Sequence, residues 1–279
     1  MTLNPFYVDD LIKRALLEDI NYLDTTTDYM IPEDKRNQAT FLAKADGILC
    51  GLEVALRVFQ LLDDTFHAET FKKDGDAVKK GDVIAELSGN TRSLLKGERT
   101  ALNLVQHMSG IATATRAAVK AVEGTNASIV DTRKTLPGLR PLQKYAVVCG
   151  GGKNHRYNLS DAAMLKDNHI DAAGGITNAI TSLRQKVGHM VKIEVETRNL
   201  EELHEALNAG ADIIMLDNMS PELMKEAVWI NNGRALLEAS GGITQETLRA
   251  VAESGVDIIS IGALTHSAKA FDISMKILM

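Results

Sequence analysis

From residue 127 to residue 263 the chain repeats one plan: a short apolar run, a functional group where the run ends, then a helical stretch. Six such runs occur, at 127–133 (ASIVDTR), 162–168 (AAMLKDN), 192–197 (KIEVET), 211–218 (ADIIMLDN), 235–240 (ALLEAS) and 256–263 (VDIISIGA). Each has the length and the apolar, β-branched bias of a buried strand, while 139–149, 175–187, 199–209, 220–232 and 244–254 carry helical spacing. Gly210 and Gly255 sit after two of these helices, where a left-handed residue ends a helix cheaply. Such alternation predicts a parallel sheet with right-handed crossovers. A dinucleotide-binding sheet would carry a Gly-x-Gly-x-x-Gly turn after its first strand. None is present, so the pattern favours an open, TIM-like α/β barrel of about six parallel strands over a Rossmann sheet.

In such a barrel the site forms where the strands end at their C-termini. The six ends carry Thr132-Arg133-Lys134, Lys166-Asp167-Asn168, Glu196-Thr197, Asp217-Asn218, Ser240-Gly241-Gly242 and Ile261-Gly262-Ala263. Any one of these reads equally well as a helix cap or an exposed loop residue; all six on one rim point to a site. Period-2 geometry puts Glu194 and Glu196 on the same face of their strand, pointing inward, with Glu196 nearer the mouth. Buried carboxylates need a cation or a metal, and Lys134 and Lys166 are the nearest candidates by strand position. In the last two strands, Ser240-Gly241-Gly242 ahead of the helix 244–254 and Ile261-Gly262-Ala263 have the chemistry of a backbone phosphate cradle. Cys149-Gly-Gly-Gly-Lys153 lacks the spacing of a P-loop.

Ahead of the barrel, 7–20 and 52–62 have helical periodicity, and 37–50 reads as a strand pair turning at Asp46-Gly47. Residues 66–87 resemble the hammerhead of a carrier domain, but no modifiable lysine lies in a suitable motif, so Gly75-Asp76 and Gly81-Asp82 read as turns. A carrier or binding module is the non-enzymatic alternative. A long helical region spans 96–123, with Ser109-Gly110 a possible break or close approach. Arg99 near its start opposes the helix dipole, so it is either simply exposed or aimed at a partner. The last stretch, 268–279, reads as another amphipathic helix.

Charge sharpens the site. Between 131 and 169, Arg133, Lys134, Arg140, Lys144, Lys153, His155, Arg156, Lys166 and His169 face only Asp131, Asp161 and Asp167, in a chain of net charge -6. A local cationic excess on an acidic background suits a small, multiply charged anion; nucleic acid would need a broad basic surface. No apolar run approaches a membrane span and the N-terminus lacks a secretory pattern, so the expected location is the cytoplasm, with no nucleic-acid or membrane partner. Cys50 and Cys149 provide neither a disulfide framework nor metal-ligand spacing.

Taken together, Gly97-Glu-Arg-Thr-Ala-Leu-Asn103, Asp131-Thr-Arg-Lys-Thr-x-Pro-Gly-Leu-Arg140, Gln143-Lys-Tyr-Ala-Val147, Gly150-Gly-Gly-x-x-His-Arg156 and Leu165-Lys-Asp-Asn-His169 closely resemble the quinolinate phosphoribosyltransferases over nearly the whole chain. The resemblance implies an N-terminal α/β sandwich domain at 1–108 and an open α/β barrel at 109–267, with the C-terminal helix at 268–279 packing back on the first domain. It implies Mg2+-dependent transfer of phosphoribosyl from PRPP to quinolinate with loss of CO2, a step of NAD biosynthesis. By position, it implies that Arg133, His155, Arg156 and Lys166 meet the quinolinate carboxylates. Arg99 would come from the neighbouring subunit of a homodimer, with higher assembly left open. Lys134, Lys166, Glu196 and Asp217 are the implied catalytic groups, with Glu196 and Asp217 the metal ligands and Thr132 part of the substrate site. The 5'-phosphate is implied to lie against Ser240, Gly241, Gly242, Ile261, Gly262 and Ala263. The alternatives are a related phosphoribosyltransferase with another acceptor and, on the strength of Lys134 and Lys166 alone, a Schiff-base aldolase.

Overall fold

The computed structural model describes residues 2–278. In chain order its elements are α1 (Pro5–Asp19), α2 (Thr25–Met30), β1 (Arg36–Ala43), β2 (Gly47–Ile48), α3 (Leu52–Leu62), β3 (His67–Thr70), β4 (Ala77–Val78), β5 (Val83–Asn90) and α4 (Thr91–Ala121). There follow β6 (Ser128–Val130), α5 (Arg140–Cys149), β7 (Ala163–Leu165), α6 (Asp167–Ala173), α7 (Ile176–Arg184), β8 (Ile193–Thr197), α8 (Leu200–Asn208) and β9 (Ile213–Asp217). The last are α9 (Pro221–Asn231), β10 (Leu236–Ser240), α10 (Leu248–Glu253), β11 (Ile258–Ser260), α11 (Ala263–His266) and β12 (Ile273–Leu278).

Two compact units share these elements. The first takes the chain up to Arg116, then Thr135–Gly151, then the chain from Leu264 on; the second takes Ala117–Lys134 and Gly152–Ala263. Each unit is therefore built from more than one stretch of the chain. Helix α4 runs unbroken through Ser109 and Gly110, and α5 belongs to the first unit although its sequence lies among the strands of the second.

The first unit holds an antiparallel sheet of order β12-β1-β5-β3 and a small pair β2-β4. Two expectations are corrected here. β1 and β2 do not form a hairpin; β1 pairs with β5 and β12, and Asp46 instead accepts a hydrogen bond from the Lys80 backbone at 2.8 Å. The chain's last stretch is a strand and not a helix. Its register runs from Ala43↔Ile273 to Gln38↔Leu278, so it does return to the first unit, as an edge strand. Ile273, Met275 and Ile277 alternate with the polar Ser274 and Lys276, which is the pattern a sheet face selects. Residue 279, which the helical reading included, lies outside the described residues. Gly75 and Gly81 each occupy the positive-φ position of a turn closed by an aspartate, whose side chain accepts from the backbone of Lys73 or Lys79. This is the turn chemistry expected of residues 66–87.

The second unit is a parallel sheet of order β6-β11-β10-β9-β8-β7. From β7 to β11 each strand lies beside the next in sequence, and β6 closes against β11; among the described residues β6 and β7 do not pair, so the barrel is open there. Each strand has one apolar face buried against helices, such as Ile193 and Val195 on β8, Ile214 and Leu216 on β9, Leu237 and Ala239 on β10. The alternate residues face inward, and that face is where the chemistry collects. The helix expected at 244–254 begins only at Leu248, and the strand expected at 162–168 ends at Leu165, where α6 starts almost at once.

Candidate active site

Side chains from the ends of all six parallel strands line one cavity of about 300 Å³ in the second unit. Of the residues singled out in the sequence, Thr132, Arg133, Lys134, His155, Arg156, Lys166, Glu196, Asp217 and Ser240 are on its wall. Six are not. Gly241, Gly242, Ile261, Gly262 and Ala263 stand at the ends of β10 and β11 without lining the cavity, and Arg99 is an exposed residue of α4 in the first unit. The expectation that a helix beginning at 244 follows Ser240-Gly241-Gly242 is also corrected, since Leu248 opens α10 six residues after the last of these glycines.

Met164, Met215, Glu238 and Ser260 line the cavity and were missed. Each lies two residues before a predicted site residue: Lys166, Asp217, Ser240 and Gly262. The period-2 rule that paired Glu194 with Glu196 finds all four when applied to every strand.

The cationic wall is held from below by backbone and side-chain oxygens. Thr132 turns the chain by accepting from the Lys134 backbone at 3.0 Å. Asp131, fully buried, accepts from the Asn154 amide at 2.6 Å and the His155 backbone at 2.9 Å, which fixes the loop that delivers His155 and Arg156. The Arg156 guanidinium donates to the Ala162 carbonyl at 3.0 Å. Burial, then the neighbouring Arg133 charge, push the Arg156 guanidinium below its ordinary value, and Glu194 opposes this. Arg140 and Lys144, two of the nine basic residues between 131 and 169, lie on α5, where Arg140 donates to Thr135 at 3.0 Å and Lys144 is wholly buried.

The acidic side has two layers. Near the mouth, Glu196 is pushed above the usual carboxylate range by burial and then by the charge of Asp217, with Lys166 pulling the other way. Two oxygen donors that repel each other across a cavity are a fitting partial ligand set for a hard divalent cation, which needs only one or two protein carboxylates when substrate and water complete its shell. Deeper, Glu194 and Glu238 are buried, and the expected lysine partners are replaced: His155 Nε2 lies 3.0 Å from Glu194 and 3.6 Å from Glu238. Burial and the Glu194 charge push the Glu238 carboxyl up to about 7, while His155 draws it down.

The rim between β9 and β10 is tightly built. Asn218 adopts φ +55, its amide donates to Asp217 at 2.8 Å, and its backbone N–H donates to the Ser240 carbonyl at 2.9 Å. A Cβ on Gly241 (φ +88) would stand 2.3 Å from the Asn218 side-chain oxygen, so only glycine allows these two strand ends to meet.

Comparisons with known proteins cover the whole of this architecture. A family model described as "Quinolinate phosphoribosyl transferase, C-terminal domain" matches residues 111–276, and one described as "Quinolinate phosphoribosyl transferase, N-terminal domain" matches 24–109. A probable nicotinate-nucleotide pyrophosphorylase (carboxylating) of Bacillus subtilis is 47% identical over 275 residues, covering 99% of this chain and 95% of that protein. The chloroplastic nicotinate-nucleotide pyrophosphorylase (carboxylating) of Arabidopsis thaliana is 47% identical over 287 residues, covering 96% of this chain and 82% of that one. Among solved structures, NadC from Streptococcus pyogenes superposes with a TM-score of 0.96 at 44% identity over 100% of both chains.

Proposed function

Because the chain belongs to the quinolinate phosphoribosyltransferase family, we propose that it transfers the phosphoribosyl group of PRPP to quinolinate with decarboxylation, giving nicotinate mononucleotide, pyrophosphate and CO2 in NAD biosynthesis. The observation that carries this reading is a single cavity lined by four cations, Arg133, Lys134, Arg156 and Lys166, and by the carboxylates Glu196 and Asp217. Quinolinate is a dianion and PRPP is more highly charged, so they repel each other in solution. Four cations in one cavity offset that repulsion and hold both within reacting distance.

The division of labour follows from side-chain shape. Arginine forks match carboxylates, so Arg133 and Arg156 receive quinolinate; lysine is a point charge suited to phosphate oxygens, so Lys134 faces PRPP and Lys166 lies between the two. Glu196 and Asp217 would hold Mg2+, which when bound supplies charge to stabilise the departing pyrophosphate. Ser240 and the glycines after it receive the 5'-phosphate, beside the Ile261 to Ala263 end of β11. The pyridine nitrogen forms the new bond to ribose C1 as the pyrophosphate oxygen leaves. The ring nitrogen is then positive, and when the C2–carboxylate bond breaks its electron pair stays beside that charge until C2 takes a proton. His155, whose ring nitrogens face Glu194 and the Arg156 backbone, contributes a wall to the acceptor pocket.

We assign the active assembly to a dimer in which Arg99 of one subunit completes the acceptor pocket of the other, and the protein to the cytoplasm. Among the described residues, no helix is long and apolar enough to cross a membrane. One assay tests the core of the reading. PRPP-dependent release of CO2 from carboxyl-labelled quinolinate is expected, with no turnover of nicotinate, and it should stop when the divalent cation is chelated and return with Mg2+. Turnover of nicotinate in place of quinolinate would overturn it.

A further inference from the structure

The floor of the cavity holds an arrangement that the reaction as described does not use. Glu194 on β8 and Glu238 on β10 are 3% and 1% exposed, and Oε1 of each is buried with no hydrogen-bond partner. Two adjacent buried acids with unpartnered oxygens are costly to the fold, and costs of this kind gather at functional sites. Between them sits His155, whose Nε2 approaches both.

One nitrogen and two carboxylates, all within 4.8 Å of one another, have the composition of a transition-metal site. The ring's tautomer decides against that reading. The Arg156 backbone N–H lies 2.8 Å from His155 Nδ1, and a backbone amide can only donate. Nδ1 therefore carries a lone pair and the ring's proton is on Nε2, the atom that faces the acids. A donor stands where a metal would need a ligand.

We propose that Glu238, acting with Glu194, is a positioning residue for the acceptor half of the site. Glu194 accepts the Nε2–H at 3.0 Å, and Glu238, 3.6 Å from the same nitrogen, places a second carboxyl beside it, so the pair holds the ring in one tautomer and one orientation. In that orientation Nδ1 receives the Arg156 N–H, which sets the backbone from which the Arg156 guanidinium reaches the cavity. The chain of contacts runs from the barrel floor to the carboxylate-binding fork: Glu238 and Glu194, the imidazole, the Arg156 backbone, the guanidinium. Asp131 secures the same loop from the other side through the Asn154 amide and the His155 N–H. Glu194 also offsets the repulsion that Arg133 exerts on Arg156.

This inference rests on the proposed acceptor chemistry for its kinetic test, but one of its readouts does not. Glu238→Gln keeps the side chain's volume and turns an acceptor into an amide that can present its N–H₂ to the imidazole. The expected kinetic result is a rise of about tenfold in KM for quinolinate, the lower end of what changing a residue that orients another site residue costs. The KM for PRPP should be unchanged. Ring-nitrogen NMR of the variant should show His155 as a mixture of tautomers, where the wild type shows Nε2–H alone. Glu238→Asp, which keeps the charge and withdraws it by one methylene, should recover part of both effects. The melting temperature of Glu238→Gln should hold or rise, because a buried acid beside Glu194 has gone; a purely structural residue would lower it and weaken both substrates equally. An unchanged quinolinate KM together with an unchanged His155 tautomer overturns the proposal, as does an equal loss for both substrates with a lowered melting temperature. Failure of the wild type to turn over quinolinate would instead fault the proposed reaction and leave the tautomer measurement standing.

Discussion

Arg133 and Lys166 carry the same charge on the same cavity wall and are not interchangeable. A planar guanidinium meets a carboxylate with two parallel donors, and a lysine in its place keeps the charge but loses the second bond and its direction. Arg133→Ala is accordingly expected to abolish quinolinate binding in calorimetry, and Arg133→Lys to weaken it roughly tenfold to a hundredfold, in line with one or two charge-assisted bonds. Near-normal affinity in the alanine variant would sink the assignment. Glu238 makes a second prediction, about stability. Its carboxyl is pushed up to about 7 by burial and by Glu194, so between the ordinary glutamate range and about pH 7 the folded chain holds a proton that the unfolded chain has released. Such a group favours the fold most at the acid end of that window, and the advantage is lost as pH rises through about 7. In melting experiments from pH 5 to 8, Glu238→Gln should flatten this part of the profile; an identical slope in variant and wild type would show that Glu238 does not titrate there. This residue also marks a limit of sequence reading. Leu-Leu-Glu-Ala-Ser looks like a buried strand with one stray acid, and only the inward-facing neighbours of β8 explain the acid's presence. Glu194 was legible as an inward carboxylate, but its partner was not, because His155 reaches it from a loop far away in sequence.

At the scale of elements, the parallel strands were readable because two signals agreed, a short β-branched run and a turn residue on either side. The C-terminal segment offered signals that disagreed. Phe271, Met275 and Leu278 have the spacing of a helical stripe, while Ile273, Met275 and Ile277 have that of a strand. The open edge of β1 selects the second, and a neighbour so distant in sequence leaves no local trace. Helix α4 gives the opposite lesson, since Ser109-Gly110 was read as either a break or a close approach and is only the latter. The Ser109 hydroxyl accepts from the Cys50 backbone N–H at 2.9 Å and donates to the Cys50 carbonyl at 3.0 Å. At Gly110 a Cβ would stand 2.1 Å from the Lys269 carbonyl oxygen. In an isolated helix, Gly110→Ala would gain about 1 kcal/mol of helix propensity. Here the clash with backbone should outweigh it, at about 1 to 3 kcal/mol for a forced displacement. The expected outcome is a net loss in urea-unfolding stability and a lowered melting temperature. A variant as stable as the wild type would mean that the chain at Lys269 yields freely.

At the scale of the whole molecule, the open question is what Arg99 does. It does not line the cavity, and it stands exposed on α4. One turn earlier, Lys96 reaches Asp28 of α2 at 2.5 Å, and Arg92 donates to the Asp28 carbonyl at 3.1 Å. The next two residues of α2, Tyr29 and Met30, are 77% and 73% exposed. Exposed Arg, Tyr and Met are the residue types enriched in interface cores. That supports a second copy of the chain as its partner and an acceptor pocket shared between subunits. The consequence can be tested with two inactive proteins. In a two-fold dimer made from an Arg99→Ala chain and a Lys166→Ala chain, one pocket receives both defects and the other receives neither. Random exchange makes about half of the dimers mixed, each with one intact pocket of two, so about one quarter of wild-type activity should return. Native mass spectrometry of the mixture establishes whether exchange has occurred. If mixed dimers are present and activity does not return, Arg99 serves its own chain or none, and the shared pocket is wrong.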